Sequence, residues 1–181
     1  MKINKKKFIY LISPNKITKQ FYPNLNKVLE IGKVSFFQLR LKKYSFEQKI
    51  SIGKKINADG CHLGQKDTNI IKARKIIGNK IIGVTCHNSI KLAKYAIKNK
   101  ASYIAFGAFF TTRTKKVKHR ATTKILIKTK KITKTPIVAI GGINYHNYKK
   151  LLLNNANFLA ISSYIWNNKK YKPIKAIKKL K

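Results

Sequence analysis

"PIVAIGGIN", Pro136 to Asn144, is an apolar, β-branched run that stops at two adjacent glycines. Such a run suits a strand buried on both faces, and a glycine pair at its exit lets the backbone turn tightly or approach a ligand closely. Reading outward from it, the same grammar recurs along the chain. Apolar runs stand at Phe8 to Ser13, Phe36 to Leu41, Asp59 to Leu63, Lys80 to Thr85, Tyr103 to Phe109, Pro136 to Ile140 and Phe158 to Ile161. Helically spaced, Lys-rich segments alternate with them: Leu25 to Ile31, Phe46 to Ile56, Ile70 to Ile77, Ile90 to Ile97, Ile125 to Ile132, Tyr148 to Leu153 and Ile174 to Leu180. In the fourth of these, Ser89 is placed to cap the helix, and Leu92, Ala93, Ala96 and Ile97 share one face.

Strand-then-helix units with nearly continuous apolar strands describe a parallel sheet covered by helices, either a barrel or a doubly wound sheet. The glycines separate the two. Gly64, Gly107 and Gly141-Gly142 fall at strand ends, and no early G-x-G-x-x-G of dinucleotide type is present. Polar residues collect after the strands as well: in "QLRLK", Gln38, Arg40 and Lys42 alternate with Leu39 and Leu41, so a continued strand puts the three polar side chains on one face. Functional groups gathered at the carboxyl ends of many strands are the arrangement of a TIM-type (β/α) barrel. The expectation is one such domain over residues 1–181, with seven units in place of eight. Almost nothing connects the segment ending at Ile56 to the strand opening at Asp59, and about one unit is missing there.

With 42 Lys and Arg against 4 Asp and Glu, the chain carries a formal charge of +38. Nearly all of it is Lys, spread end to end beside abundant Ile and Asn, a pattern that AT-rich codons favour. It reads as a solvated surface that would attract anionic small ligands and bind nucleic acid only non-specifically. No apolar stretch reaches membrane-spanning length, and Phe8 to Ile12 is too short for a signal-peptide core. Cys61-His62 and Cys86-His87 mimic a zinc set, but strand neighbours point to opposite faces, so the four cannot converge. Two lone thiols suit a reducing cytoplasm.

The strand ends offer oxyanion chemistry. Gly142 and the pair Ser162 and Ser163 fall where barrels commonly build a phosphate site from backbone N–H groups and hydroxyls. "TTRTKK" adds Thr111, Thr112 and Thr114 with Lys115 and Lys116. Asp67 follows the third strand, in a mouth expected to hold Arg40, Lys42 and Lys115; it could pair with those cations or hold Mg²⁺. Asp59 reads as structural, and His87, His119 and His146, without carboxylate partners in sequence, read as surface or structural groups.

"FFQLRLK", "ADGCHLGQKD", "IIGVTCHN", "YIAFGAFFTTRTKK", "PIVAIGGIN" and "FLAISSYI" resemble, in order and spacing, the motifs of the thiamine phosphate synthase family, over about Phe8 to Ile165. The resemblance implies a transferase that joins hydroxymethylpyrimidine diphosphate to thiazole phosphate and releases pyrophosphate, with Mg²⁺ as cofactor. It also implies residue roles. Gln38, Leu39, Arg40, Leu41, Lys42, Thr85 and Lys115 would contact the pyrimidine diphosphate, with Arg40 and Lys115 serving catalysis. Thr112, Arg113, Thr114, Gly142, Ser162 and Ser163 would hold the thiazole phosphate, and Asp67 the metal. The family's third strand, which ends in an Asn-Asp pair supplying a second metal ligand, has no counterpart between "IGKKI" and "NADGCHLG". Two alternatives stay open. One is a thiazole tautomerase, although Ala108 stands where those relatives carry a proton-transferring histidine. The other is a non-catalytic remnant that binds phosphate or RNA.

Overall fold

Each apolar run becomes a parallel strand, and each Lys-rich periodic segment becomes a helix over it. The computed structural model describes residues 8–112 and 119–180. In order they form β1 (Ile9–Ile12), α1 (Phe21–Leu29), β2 (Val34–Gln38), α2 (Phe46–Lys55), β3 (Gly60–Leu63), α3 (Ile70–Ile77), β4 (Ile81–His87) and α4 (Ile90–Lys98). Then come β5 (Tyr103–Gly107), α5 (Thr123–Ile132), β6 (Ile137–Ile140), α6 (Tyr148–Leu153), β7 (Phe158–Ile161), α7 (Ser163–Trp166) and α8 (Pro173–Lys178). Local chemistry sets several starts. Ser89 accepts from Leu92 N–H at 3.2 Å, Asn69 from Lys72 N–H at 2.9 Å, and Ser45 with Gln48 forms a reciprocal capping box on α2.

All pairings are parallel, and the strand order is β2-β1-β7-β6-β5-β4-β3. The first and last strands pair, so the order is cyclic, as in a barrel and unlike a doubly wound sheet. The cycle breaks at one point. β2 and β3 are the sheet's edges and do not pair with each other among the described residues. The seven units therefore stand as expected, but they make a barrel-like sheet open on one side. The break falls at the gap in the sequence, between β2 and β3.

Alternation divides the strand side chains into two apolar clusters. Outward residues, among them Ile9, Leu11, Ile82, Ile104, Phe106, Ile137, Leu159 and Ile161, are buried under the helices. Inward residues Tyr10, Ile12, Tyr103, Ala105, Val138 and Ala160 fill the interior, with Phe36, Ile81, Ile140 and Phe158 against them. Burying each large side chain contributes roughly 1.5–3 kcal/mol. Space inside is tight: a Cβ on Gly83 would run into the Tyr103 ring. Around the opening packing thins, and α2 has no buried residue.

Two strands end earlier than their composition suggests. β2 stops at Gln38, so Arg40 and Lys42 lie in the following loop and not on a strand face with Gln38. The reason is a competing partner: Arg40 N–H donates to Ser13 Oγ at 2.9 Å, and the chain turns at Leu41–Tyr44. β5 stops at Gly107, because Phe109 and Phe110 N–H groups turn to the Ile140 and Gly141 carbonyls, at 3.1 and 3.0 Å. The short helix α7 is an addition to the sequence reading, anchored where Trp166 Nε1 donates to the Ile12 carbonyl at 2.7 Å.

Candidate functional site

A wholly parallel sheet brings the carboxyl ends of its strands to one rim, and the candidate residues follow those ends. Gln38 closes β2, with Leu39 to Lys42 just beyond it. Asp67 lies past β3, Thr85 near the end of β4, Thr112 past β5, Gly142 past β6, and Ser162 with Ser163 past β7. Arg113, Thr114 and Lys115 lie outside the described residues, as does Lys116.

Hydrogen bonds stitch one arc of this rim. Buried Ser13, at the end of β1, receives Arg40 N–H on its hydroxyl, and its carbonyl accepts from Ser162 Oγ at 3.2 Å. The loop after β2 is thereby tied to the end of β7. Arg40 is half-buried, and desolvation pulls its pKa down from the ordinary value; starting that far above neutrality, it keeps its charge. Leu39 is exposed and Leu41 half-buried, and the Lys42 side chain is exposed.

Gly142 holds the next arc. Its φ of +64° favours glycine, and a Cβ there would strike the Thr111 carbonyl and Phe110. The loop leading to Thr112 thus lies directly on the Gly141-Gly142 turn, where Asn147 Nδ2 donates to the Gly142 carbonyl at 3.0 Å. Thr112, Gly142, Ser162 and Ser163 are all half-buried. Short, polar and closely backed by main chain, this arc has the character of an oxyanion cradle.

The third arc borders the opening. Asp67 Oδ2 accepts from Gly64 N–H at 2.7 Å, which fixes the turn after β3. Among the described residues its ion pair is with Lys49 of α2, at 4.0 Å, and not with Arg40 or Lys42; Lys115, the third cation the sequence suggested, lies outside them. The cause is the early end of β2, which leaves α2 the nearer source of cations. For Mg²⁺ the fit is partial. The Asp67 side chain is exposed, and among the described residues Oδ1 is engaged only by that long pair, which suits a cation held by one carboxylate and substrate phosphates. Among the described residues no three His, Cys, Asp or Glu side chains converge on one point.

Sequence reading missed a polar chain inside the sheet. Tyr10 OH and Tyr103 OH are 2.7 Å apart, Tyr103 OH meets His62 Nδ1 at 2.9 Å, and His62 Nε2 meets Thr85 Oγ1 at 2.8 Å. Gln65 completes it by donating to the Thr85 carbonyl. Desolvation pulls the His62 pKa down to about 4, against the opposing charge of Asp67, so the ring is neutral near pH 7. Burial raises both tyrosine hydroxyls above their ordinary value. The available signal was alternation: Tyr10, His62, Thr85 and Tyr103 all occupy inward positions of their strands. Cys61 and Cys86 face the helices instead, and burial raises both thiols, Cys86 up to about 12, so neither is a ready nucleophile. The His87 ring lies against that of His119, tilted by 34° with centroids 4.5 Å apart.

A cyclically ordered parallel sheet with basic and hydroxyl groups on its carboxyl rim places the chain in a class, the enzymes built on barrel-type α/β sheets. Comparison with known proteins narrows it. The model of the family described as thiamine monophosphate synthase matches residues 46–165. A thiamine-phosphate synthase of Pelagibacter ubique is 61% identical, with all of both chains covered. That of Rhodospirillum centenum is 35% identical over 88% of this chain and 89% of its own. The thiamine phosphate pyrophosphorylase of Pyrococcus furiosus superposes with a TM-score of 0.79 at 26% identity, covering 98% of this chain and 94% of its own. The chain belongs to the thiamine monophosphate synthase family. Its alignment with the Pelagibacter relative spans 207 positions against the 181 residues present here, so 26 positions have no counterpart. That is the size of one strand–helix unit, roughly 25–30 residues in such barrels.

Proposed function

We propose that this chain is a transferase of thiamine biosynthesis that couples hydroxymethylpyrimidine diphosphate to thiazole phosphate on the rim described above. The carbon–oxygen bond to the diphosphate breaks with its electron pair leaving on pyrophosphate. The thiazole nitrogen then donates its pair to the resulting pyrimidine cation. The protein's task is mainly to stabilise the departing anion and to hold the acceptor in line.

In this reading Gln38, the Leu39–Lys42 loop and Thr85 hold the pyrimidine diphosphate. Arg40, half-buried and with its backbone held by Ser13, is one cation among them, and Lys115 brings a second from beyond the described residues. Gly142, Ser162, Ser163, Thr112 and the adjoining Arg113 and Thr114 grip the thiazole phosphate. Asp67 would hold Mg²⁺, which when bound supplies positive charge against the diphosphate. The neutral His62, buttressed by Tyr103, keeps the Thr85 hydroxyl oriented. No helix among the described residues is long and apolar enough to cross a membrane. The free thiols Cys61 and Cys86 agree with a cytoplasmic setting.

The observation that carries the reading is the stitching of the Arg40 loop, Ser13 and Ser162 into one arc beside the Gly142 turn, in a chain 61% identical to a thiamine-phosphate synthase. A product assay with both substrates and Mg²⁺ tests it, beside a version carrying a restored strand between β2 and β3. Thiamine phosphate from the chain as it stands is the expected result. Product from the restored version alone would leave this chain a phosphate binder. Thiazole phosphate should also raise the melting temperature, and no shift at millimolar ligand would remove the proposed grip.

A further inference from the structure

We propose that the exposed face of α2, beside the opening, is a self-association surface on which a second copy of this chain seats the same face in antiparallel register. The inference stands on geometry and charge and does not depend on the coupling reaction. α2 links β2 to β3, two strands that do not pair with each other, and none of its ten residues is buried. Phe46 and Ile50 of α2 line a mainly apolar groove with Ile76 of α3, and Glu47, Ser51 and Lys54 line it as well. Exposed apolar side chains concentrate here. Of fourteen large exposed hydrophobics among the described residues, seven fall between Phe37 and Ile76, including Phe46, Ile56 and Ile76.

Charge selects the occupant. The chain's four acidic side chains, Glu30, Glu47, Asp59 and Asp67, all fall within the span that builds the two sides of the opening. The sequence beyond that span carries cations alone, so copies meeting through those parts repel each other. A two-fold contact must be self-complementary, which requires both signs within one patch. Glu47 and Lys54 are two turns apart on α2, with Ile50 and Ser51 midway. An antiparallel crossing at Ile50 and Ser51 puts Glu47 of each copy beside Lys54 of the other. Two reciprocal ion pairs then flank an apolar centre made by Phe46, Ile50 and Ile76 from both copies.

Sedimentation velocity on the full chain, over a concentration series at low and moderate salt, tests the contact. The expected result is a reversible monomer–dimer equilibrium. Glu47→Lys alone and Lys54→Glu alone should each weaken it about tenfold or more, since each puts like charges opposite at two places. The double variant E47K/K54E should restore it. Glu47 also accepts from Ser45 Oγ, the hydroxyl that caps α2, at 2.7 Å, so circular dichroism melts check that each variant folds and Lys54→Glu, which leaves the cap untouched, reads the contact by itself. A wild-type chain that stays monomeric throughout the series overturns the proposal. So does a dimer indifferent to the single variants, or one that the double exchange does not restore. A monomer that gains mass only when RNA is added also overturns it, in favour of a polyanion surface.

Discussion

The two flanks of the sheet carry different halves of the candidate site under different constraints. On the closed flank, β1, β5, β6 and β7 have a strand on each side, and almost every residue in them is buried. On the open flank, β2 and β3 each lack one neighbour, and between them only Leu63 is buried. The proposed oxyanion cradle around Gly142 and Ser162 sits on the first flank, Asp67 on the second. The grip proposed for the acceptor phosphate would therefore rest on rigid backbone. The carboxylate proposed for the metal hangs on a turn whose neighbours are a half-exposed helix and a sheet edge. Rigid placement favours preorganised stabilisation, and a loose edge gives it up.

That contrast can be broken most forcefully at Gly142. Gly142→Ala needs a left-handed Cβ and a place for it against the Thr111 carbonyl, together worth up to about 4 kcal/mol. The melting temperature should fall by roughly 10 °C, and protection by thiazole phosphate should vanish. A variant as stable as the parent would show the closed flank to be pliable.

The next effect probes how dry the interior stays beside the opening. Folded His62 titrates near about 4, below its ordinary value of 6.5. Between those pH values the unfolded chain binds a proton that the folded chain excludes. Stability from His62 is thus complete above pH 6.5 and is lost progressively as pH falls to about 4, by about 3 kcal/mol. Denaturant midpoints measured along that range should show the slope, and His62→Gln should flatten it. A wild-type slope near zero would mean that water reaches the ring through the opening.

A smaller change is expected at Asp67. Asp67→Asn should raise the Mg²⁺ needed for half-maximal coupling by about tenfold, a loss of about 1.4 kcal/mol. Ser162→Ala on the closed flank should leave that requirement alone while weakening thiazole phosphate binding. Equal metal dependence in both variants would erase the proposed division of labour. Least of all, Ile52→Ala on α2 should cost under about 1 kcal/mol, because the helix buries none of its residues. The same truncation of fully buried Ile161 should cost about 2–5 kcal/mol. Urea unfolding distinguishes the two, and a large loss at Ile52 would show α2 packed more firmly than the structure has it.

Much of the fold was legible because burial and periodicity are local signals. Ile70–Ile77, Tyr148–Leu153 and Phe158–Ile161 stand where their patterns put them, and Ser89 caps α4 as its position suggested. The end of β2 was not legible. Nothing in "QLRLK" announces that Ser13, 27 residues earlier, will take the Arg40 N–H. Asp67 finding Lys49 was equally hidden, since it depends on where α2 comes to lie once β2 has stopped. The chain from Tyr10 through Tyr103 and His62 to Thr85 draws on four strands, and no window of sequence contains it.

What the sequence alone determined is the set of parts: seven strand–helix units, glycines and polar residues at their ends, the family, and one unit too few. Those follow from patterns a few residues long, in which side-chain period and glycine placement are set by local geometry. Only the tertiary structure decided how the ring answers the missing unit, leaving β2 and β3 apart in an otherwise cyclic sheet. Closure is a property of strand pairing across the whole chain, and each ladder needs a neighbour in space that no local pattern can supply.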